Sequence, residues 1–260
     1  PEALDLIVMG SFTADTYLPS GACLVQNKIG AKNAFCFDLV AACSGFLYSL
    51  EVAKSLMLVN GYQTALVIGA EKLSPFTDWE DRRTCVLFGD GAGAAVLRAT
   101  DGSNGRGLIA SVMGSDGSLA ELLNIPGLGS RYRVTAKHIE DRQVYIKMMG
   151  NEVFKHAVRC MCDAGQKVLE KCGMTVADVN LVIPHQANIR IIEAVASRLT
   201  GSTEKFYINV DKVGNMSAAS IPVALDEAVR AGRLKKGDRV LFVAFGAGFT
   251  WGASIVEWGY

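Results

Sequence analysis

A chain of 260 residues, half of them hydrophobic, can bury a large core and suits one or two domains. Its 26 basic and 26 acidic residues cancel, so no net field draws nucleic acid or an anionic membrane. Seven cysteines, an odd number without regular spacing, argue against a disulfide framework and for a reducing cytosol.

The chain opens at Pro1, without an initiator methionine or signal peptide, directly before an apolar strand over 4–9. A second strand, over 34–40, runs into Ala41-Ala42-Cys43-Ser44-Gly45-Phe46, and a helix is expected over 44–59, closed by Asn60-Gly61. A thiol in the first turn of a helix meets unpaired N–H groups and the positive end of the helix dipole. Both favour thiolate, so a lowered pKa is expected at Cys43. A strand follows over 65–69. Gly89-Asp90-Gly91-Ala92-Gly93-Ala94 resembles a dinucleotide fingerprint, but the residues after it read as a strand rather than the helix that would hold a pyrophosphate. A hairpin turn is the expectation there.

In the second half, 124–133 carries Pro126, Gly127 and Gly129 and reads as a loop insertion. An apolar-periodic helix follows Asn151, which is a candidate N-cap. Cys160 and Cys162 share that helix with no second pair nearby, so zinc is not expected. A strand over 181–184 ends at His185, with a helix over 187–199. Gly214-Asn215 makes a turn before a helix over 217–230. The most apolar stretch, 240–256, is broken by glycines and reads as two buried strands around a loop, not a membrane span. A strand-end histidine alone is usually structural. Cys43, His185 and Asn215 all sit where a strand passes into a helix, which is where ligands gather in α/β proteins. Together they form a candidate constellation.

Five segments carry a resemblance. Asp38-Leu39-Val40-Ala41-Ala42-Cys43-Ser44-Gly45-Phe46, the run 88–94, Pro184-His185-Gln186-Ala187-Asn188, Gly214-Asn215-Met216-Ser217-Ala218-Ala219-Ser220 and the run 245–252 resemble the β-ketoacyl-acyl carrier protein synthase III family. The likeness runs from end to end of the chain and is jointly specific. The Cys-His-Asn set differs from relatives with a second histidine or a glutamate, and the closing Phe-Thr-Trp-Gly differs from chalcone-synthase-type enzymes.

The resemblance implies an α/β thiolase-like fold, five layers in αβαβα order built from two duplicated halves. Residues 1–105 are the first half with Cys43, and 106–260 the second with His185 and Asn215. It also implies that the family's chain starts earlier, so that the first half lacks its opening segment here, including a tryptophan and an arginine that hold the coenzyme nucleotide. From the pattern itself there is a faint duplication: helix, parallel strand, glycine turn and returning strand occur once after Cys43 and again after Asn215.

The implied chemistry is a decarboxylative condensation of an acyl-coenzyme A with malonyl-acyl carrier protein. Cys43 is the nucleophile. His185, with a depressed pKa, and Asn215 stabilise the enolate. The backbone N–H groups of Cys43 and Ala247 form the second oxyanion site, with Ala247 standing where the family usually has glycine. By the same resemblance Arg82 lies beside the adenine, with Arg83 next to it. Asn151, Phe154, Ala187 and Asn188 line the pantetheine tunnel, and Leu73, Phe88, Ile146 and Phe245 enclose the acyl tail. Lys155, Arg190 and Arg198 face the acidic carrier protein. No metal or resident cofactor is implied, since coenzyme A and phosphopantetheine thioesters are substrates. A cytoplasmic homodimer is implied, with the strand before Cys43 pairing across the two-fold axis and Leu18 reaching the partner's pocket. Two other readings stay open: acyl transfer to an alcohol or amine on the same fold, and an inactive interaction subunit.

Overall fold

Residues 1–100 and 107–260 are described by the structure, a computed structural model. The chain runs β1 (Leu6–Gly10), α1 (Gly21–Ile29), β2 (Phe35–Leu39), α2 (Gly45–Asn60), β3 (Thr64–Glu71) and β4 (Gly91–Arg98). It continues with β5 (Gly107–Ser115), β6 (Leu123–Asn124), α3 (Ala136–Glu140), β7 (Lys147–Met148), α4 (Gly150–Lys171), β8 (Leu181–Pro184) and α5 (Ile189–Leu199). α6 (Val210–Val213), α7 (Ser220–Arg230), β9 (Arg239–Gly246) and β10 (Thr250–Glu257) complete it. The division placed at 105/106 lies outside the described residues.

Two four-stranded sheets, ordered β2-β1-β3-β4 and β5-β10-β9-β8, stack with helices between and outside them. The period-2 alternation of strand side chains sorts the core. Leu6, Val8, Ala65 and Val67 of the first sheet, and Leu181, Ile183, Val240, Phe242 and Ala244 of the second, face inward. There they meet Phe46, Leu47 and Leu50 of α2 and Ile221, Ala224 and Leu225 of α7. The alternate residues face outward: Ile7 and Met9 pack on Ala22 of α1. Val182, Leu241, Val243 and Phe245 pack on α4 and α5. Each large aliphatic or aromatic side chain so buried contributes ~1.5–3 kcal/mol. These are the five layers of the thiolase fold.

The expected duplication is physical. β3 runs parallel to β1 and returns as antiparallel β4. β9 runs parallel to β8 and returns as antiparallel β10. Even β2, parallel to β1, has a one-residue counterpart in the bridge from Val182 to Phe206. α2 ends as expected on Gly61 in the left-handed conformation, φ 70°. Residues 42–60 are long and apolar enough to cross a membrane by length and composition, but they pack between the two sheets.

The glycine-rich segment departs from expectation. β4 pairs with β3 as the fingerprint's following strand should, but residues 72–90 form a long excursion rather than a hairpin turn. Gly89 and Gly91 are there for close approach: a Cβ on either would stand 2.3 Å from Val213 O or Met216 Sδ. Asn151 also differs. It lies inside α4, whose N-cap is Met149.

Candidate active site

Each of the three expected residues is held by its own strand-to-helix corner. Ala41 leads into a 3-10 turn, Ala42–Ser44, that feeds α2, and Ala42 takes a left-handed φ of 45°. The motif at β9–β10 pins this turn. Thr250 Oγ1 donates to Ala41 O at 2.9 Å and to Ala247 O at 3.2 Å, while Ser44 Oγ donates to Thr250 O at 3.2 Å. Gly246 is bare because a Cβ there would stand 2.7 Å from the Cys43 nitrogen. The left-handed position in the β9–β10 turn is Gly248, φ 140°, and not Ala247, whose φ is not positive. An alanine therefore sits at 247 without strain.

His185 follows β8, its N–H donating to Val243 O at 2.8 Å. The next residue, Gln186, is fully buried and braces the corner: its Nε2 donates to Pro184 O and Tyr207 O, and its Oε1 accepts from Asn209 N. Asn215 is held by backbone pairing with the glycine-rich segment, its N–H to Leu87 O at 2.8 Å and its C=O from Gly89 N at 2.9 Å. Its Oδ1 accepts from Ser217 N–H at 2.9 Å, which leaves the Nδ2 hydrogens as the free donors.

The three corners meet at one cavity of about 670 Å³, lined by Cys43, His185 and Asn215. Phe88, Asn151, Phe154, Ala187, Asn188 and Phe245 line the same cavity. Asn188 also caps α5, accepting from Ile191 N at 3.0 Å. Arg190 lines it as well, while Lys155 pairs with Glu152 at 2.8 Å on the outside of α4 and Arg198 is exposed near the end of α5. Arg82 does not line the cavity and Arg83 does, its Nε 2.9 Å from Asp81 Oδ1. Leu73 and Ile146 are buried core residues and are not among the lining. Leu18 is 87% exposed beside Tyr17, and β2 forms an edge of its sheet with Phe35 exposed.

The electrostatics match one expectation and overturn another. Burial depresses His185 to about 3, so its ring is neutral. Nδ1 is buried without a partner among the described residues. Cys43 does not have the lowered pKa that its helix position suggests. Burial pushes the thiol up to about 12, and the charge on nearby Glu71 adds to this. The Ser217 side chain and the backbone N–H of Cys43 act in the other direction and lose. Desolvation outweighs the dipole because the thiol lies in the 3-10 turn ahead of α2, between two packed halves. The resting sulfur is a neutral thiol. Glu71 and Ser217 are the side chains that the sequence reading missed. A carboxylate ending the apolar run Leu66-Val67-Ile68-Gly69-Ala70 was the available signal, by the same strand-end rule that found His185.

A thiol, a neutral imidazole and an amide donor converging from both halves of a thiolase fold define a condensing-type acyltransferase site. The family model for 3-oxoacyl-[acyl-carrier-protein] synthase III matches residues 37–117, and the model for its C-terminal part matches 169–258. The chain belongs to the β-ketoacyl-[acyl-carrier-protein] synthase III family. A synthase III of Clostridioides difficile (strain 630) is 50% identical over 257 residues, covering 99% of this chain and 77% of the relative. One from Natranaerobius thermophilus is 50% identical over 259 residues, covering 99% and 79%. The crystal structure of 3-oxoacyl-[acyl-carrier-protein] synthase III from Aquifex aeolicus VF5 superposes with a TM-score of 0.90 at 47% identity, covering 99% of this chain and 78% of that one.

Proposed function

We propose that this chain condenses an acyl-coenzyme A, acetyl-coenzyme A in the simplest case, with malonyl-acyl carrier protein to give a 3-oxoacyl-acyl carrier protein, the first condensation of type II fatty-acid synthesis. The observation that carries the reading is one cavity shared by Cys43, His185 and Asn215 in a chain of this family. Cys43 Sγ attacks the thioester carbonyl, coenzyme A leaves, and the acyl group is stored on the enzyme. The malonyl thioester then loses carbon dioxide. The enolate oxygen accepts from Nε2–H of His185 and Nδ2–H of Asn215, and the enolate carbon attacks the Cys43 thioester. A neutral His185 suits this because a donor is needed without a second charge. The oxyanion formed at the acyl carbon is received by the N–H groups of Cys43 and Ala247, a reading supported by the bare Gly246, which lets its strand end lie close to the Cys43 nitrogen.

Coenzyme A and the carrier protein's phosphopantetheine arm enter past Asn151, Phe154, Ala187 and Asn188. Arg190, at the cavity, is the leading cation for the acidic carrier protein, with Lys155 and Arg198 on the same two packed helices adding charge that steers docking. Two chains pair through the free edge of β2, which covers Phe35 and brings Leu18 to the partner's cavity. Seven free cysteines fit a cytoplasmic location.

Radiolabelled acetyl-coenzyme A tests the reading. Label should be trapped on the wild type, be absent in Cys43→Ser, and chase into acetoacetyl-carrier protein when malonyl-carrier protein is added. Label that passes only to a small alcohol or amine, or that still attaches in Cys43→Ser, overturns it.

A further inference from the structure

A second buried polar cluster lies beside the Cys43 thiol, and none of the steps above draws on it. Glu71 ends β3 and is 5% exposed. Its Oε2 accepts from Ser11 Oγ (3.4 Å), Phe12 N (3.3 Å), Thr13 N (3.2 Å) and Thr13 Oγ1 (2.5 Å). Among the described residues its Oε1 takes a single donor, Ser217 Oγ, at 3.0 Å. Ser217 opens the 3-10 turn Ser217–Ala219, which packs directly on the Cys43 turn. A Cβ on Gly45 would stand 3.2 Å from that of Ala218. The two turns pack against each other, and the Ser217 side chain lowers the Cys43 pKa against the effect of burial. The Ser217 hydroxyl thus ties the Glu71 carboxylate to the turn that packs against the Cys43 turn.

No cation pairs with Glu71 among the described residues. β1 carries no titratable side chain. On β4, the only one is Arg98, at the end of the strand away from the Glu71–Gly91 pair. On α2, Tyr48 donates to Gly114 O and Lys54 to Ile109 O, both toward the second sheet, and Glu51 lies between them in the chain. The 217–219 turn brings only the Ser217 hydroxyl, and α7 has its charges at its far end, from Asp226 on. Lys72, next in the chain, is exposed, and among the described residues the Glu71 charge acts on the Cys43 thiol. A carboxylate buried without a counter-ion is costly, and glutamine would satisfy a purely structural position at lower cost. Burial holds Glu71 near 7, where a base works at neutral pH, whereas His185, held near 3, is a much weaker one. The Glu71 charge opposes ionisation of the thiol.

We infer that Glu71, acting through the Ser217 hydroxyl, accepts the proton that Cys43 gives up when the enzyme is acylated. This rests on Cys43 being the acylated nucleophile. As the Sγ–C bond forms to the thioester carbonyl, the Sγ–H bond breaks and its proton passes to Ser217 Oγ. Ser217 releases its own proton to Glu71 Oε1. Glu71 ends neutral, Ser217 is unchanged, and the negative charge resides on the carbonyl oxygen of the adduct. When the adduct collapses, the bond to the coenzyme sulfur breaks. Glu71 returns the proton through Ser217 to that sulfur, which departs as a thiol. Glu71 touches no substrate; it sets the protonation of the group that does.

The test compares wild type, Glu71→Gln and Ser217→Ala. Alanine keeps the Ser217 N–H that holds Asn215, and Ala42 shows that alanine accepts the same left-handed φ. Single-turnover labelling of Cys43 by radiolabelled acetyl-coenzyme A is followed from mildly acidic to alkaline pH, with malonyl-carrier protein decarboxylation measured on the same samples. Acylation by wild type should rise with pH through about 7 as Glu71 ionises. In both variants it should fall by ~10²–10⁴ at neutral pH. The inflection should vanish, leaving a rate that climbs with hydroxide, while decarboxylation, which needs no Cys43 ionisation, persists. Variants that acylate at the wild-type rate with the wild-type profile overturn the relay, as do variants that lose both half-reactions together. Wild type that takes no label on Cys43 overturns the acyl-enzyme reading itself, and the relay with it.

Discussion

Removing the Asn215 carboxamide separates the two half-reactions, and the structure sets the size of each effect. Nδ2 is the free end of a side chain whose Oδ1 is already committed to Ser217 N–H at 2.9 Å. Asn215→Ala therefore deletes one enolate donor. By analogy with other oxyanion donors, condensation should fall by ~10²–10³, or about 2.7–4 kcal/mol. It also leaves a buried N–H without its acceptor, at ~1–3 kcal/mol of stability, and for a chain of this size each kcal/mol lowers the melting point by roughly 2–4 °C. Asn215→Asp retains the acceptor for Ser217 but replaces the donor by an oxygen. Measured on the alkaline side of neutrality, where the carboxylate is ionised, it should recover melting temperature yet condense no better than the alanine variant. Labelling of Cys43 by acetyl-coenzyme A and release of carbon dioxide from malonyl-carrier protein report the two steps separately. An Asn215→Ala enzyme that decarboxylates normally but no longer takes up label would refute the assigned donor.

Three further outcomes are expected. Gly69→Ala places a Cβ 2.2 Å from Ala218 O, a backbone atom that cannot swing aside. Overpacking of this kind costs ~1–3 kcal/mol, and displacement of the 217–219 turn should lower both half-reactions. A thermal melt and activities matching wild type would exclude that contact. His185 is held near 3 in the fold against 6.5 when unfolded, so acid protonates the unfolded chain first. Its contribution is present above about 6.5 and is lost as pH falls toward 3. Denaturant midpoints of His185→Gln should be flatter across that window, and an unchanged acid limb argues against a buried neutral ring. Buried Asp78 accepts from Arg142 Nε at 2.8 Å, from Arg142 Nη2 and from Lys147 Nζ at 3.3 Å, tying residues 72–90 to the 142–147 segment. Asp78→Asn should expose 72–90 to limited proteolysis and raise KM for the coenzyme thioester, because Arg83, Leu87 and Phe88 of that excursion wall the cavity. Unchanged cleavage and KM count against the tether.

The three reactive corners were legible because each is a local event: an apolar run, then a polar residue, then helix periodicity. Burial and charge were not legible, since both depend on what the other half of the chain brings. Cys43 read as an activated thiol from its helix alone. Only the fold shows Glu71 and two packed sheets around it, which reverse the sign of the shift. Arg82 and Arg83 are adjacent in a turn, and sequence carries no phase to say which faces the cavity; the Asp81 side chain settles it by engaging Arg83. Leu73 and Ile146 have the apolar character of an acyl pocket and of plain core alike. Gly89 and Gly91 were read as turn residues, yet what they yield to is Val213 and Met216, more than 120 positions later in the chain.

The duplication explains why the site is divided as it is. Ala42 and Ser217 are both left-handed, with φ 45° and 47°, and each opens a 3-10 turn that leads into a central-layer helix. The two turns pack against each other, so whatever side chains they carry must meet at the interface between the halves. One copy places its thiol there, at Cys43. The other places a small hydroxyl at Ser217 and, two residues earlier, the carboxamide. Ser217 then serves both copies: its N–H orients Asn215 while its hydroxyl donates to Glu71 and its side chain lowers the Cys43 pKa. A residue so shared ties enolate stabilisation to thiol deprotonation through a single peptide unit. Moving the 217–219 backbone must disturb both steps, whereas trimming only the Ser217 hydroxyl disturbs one.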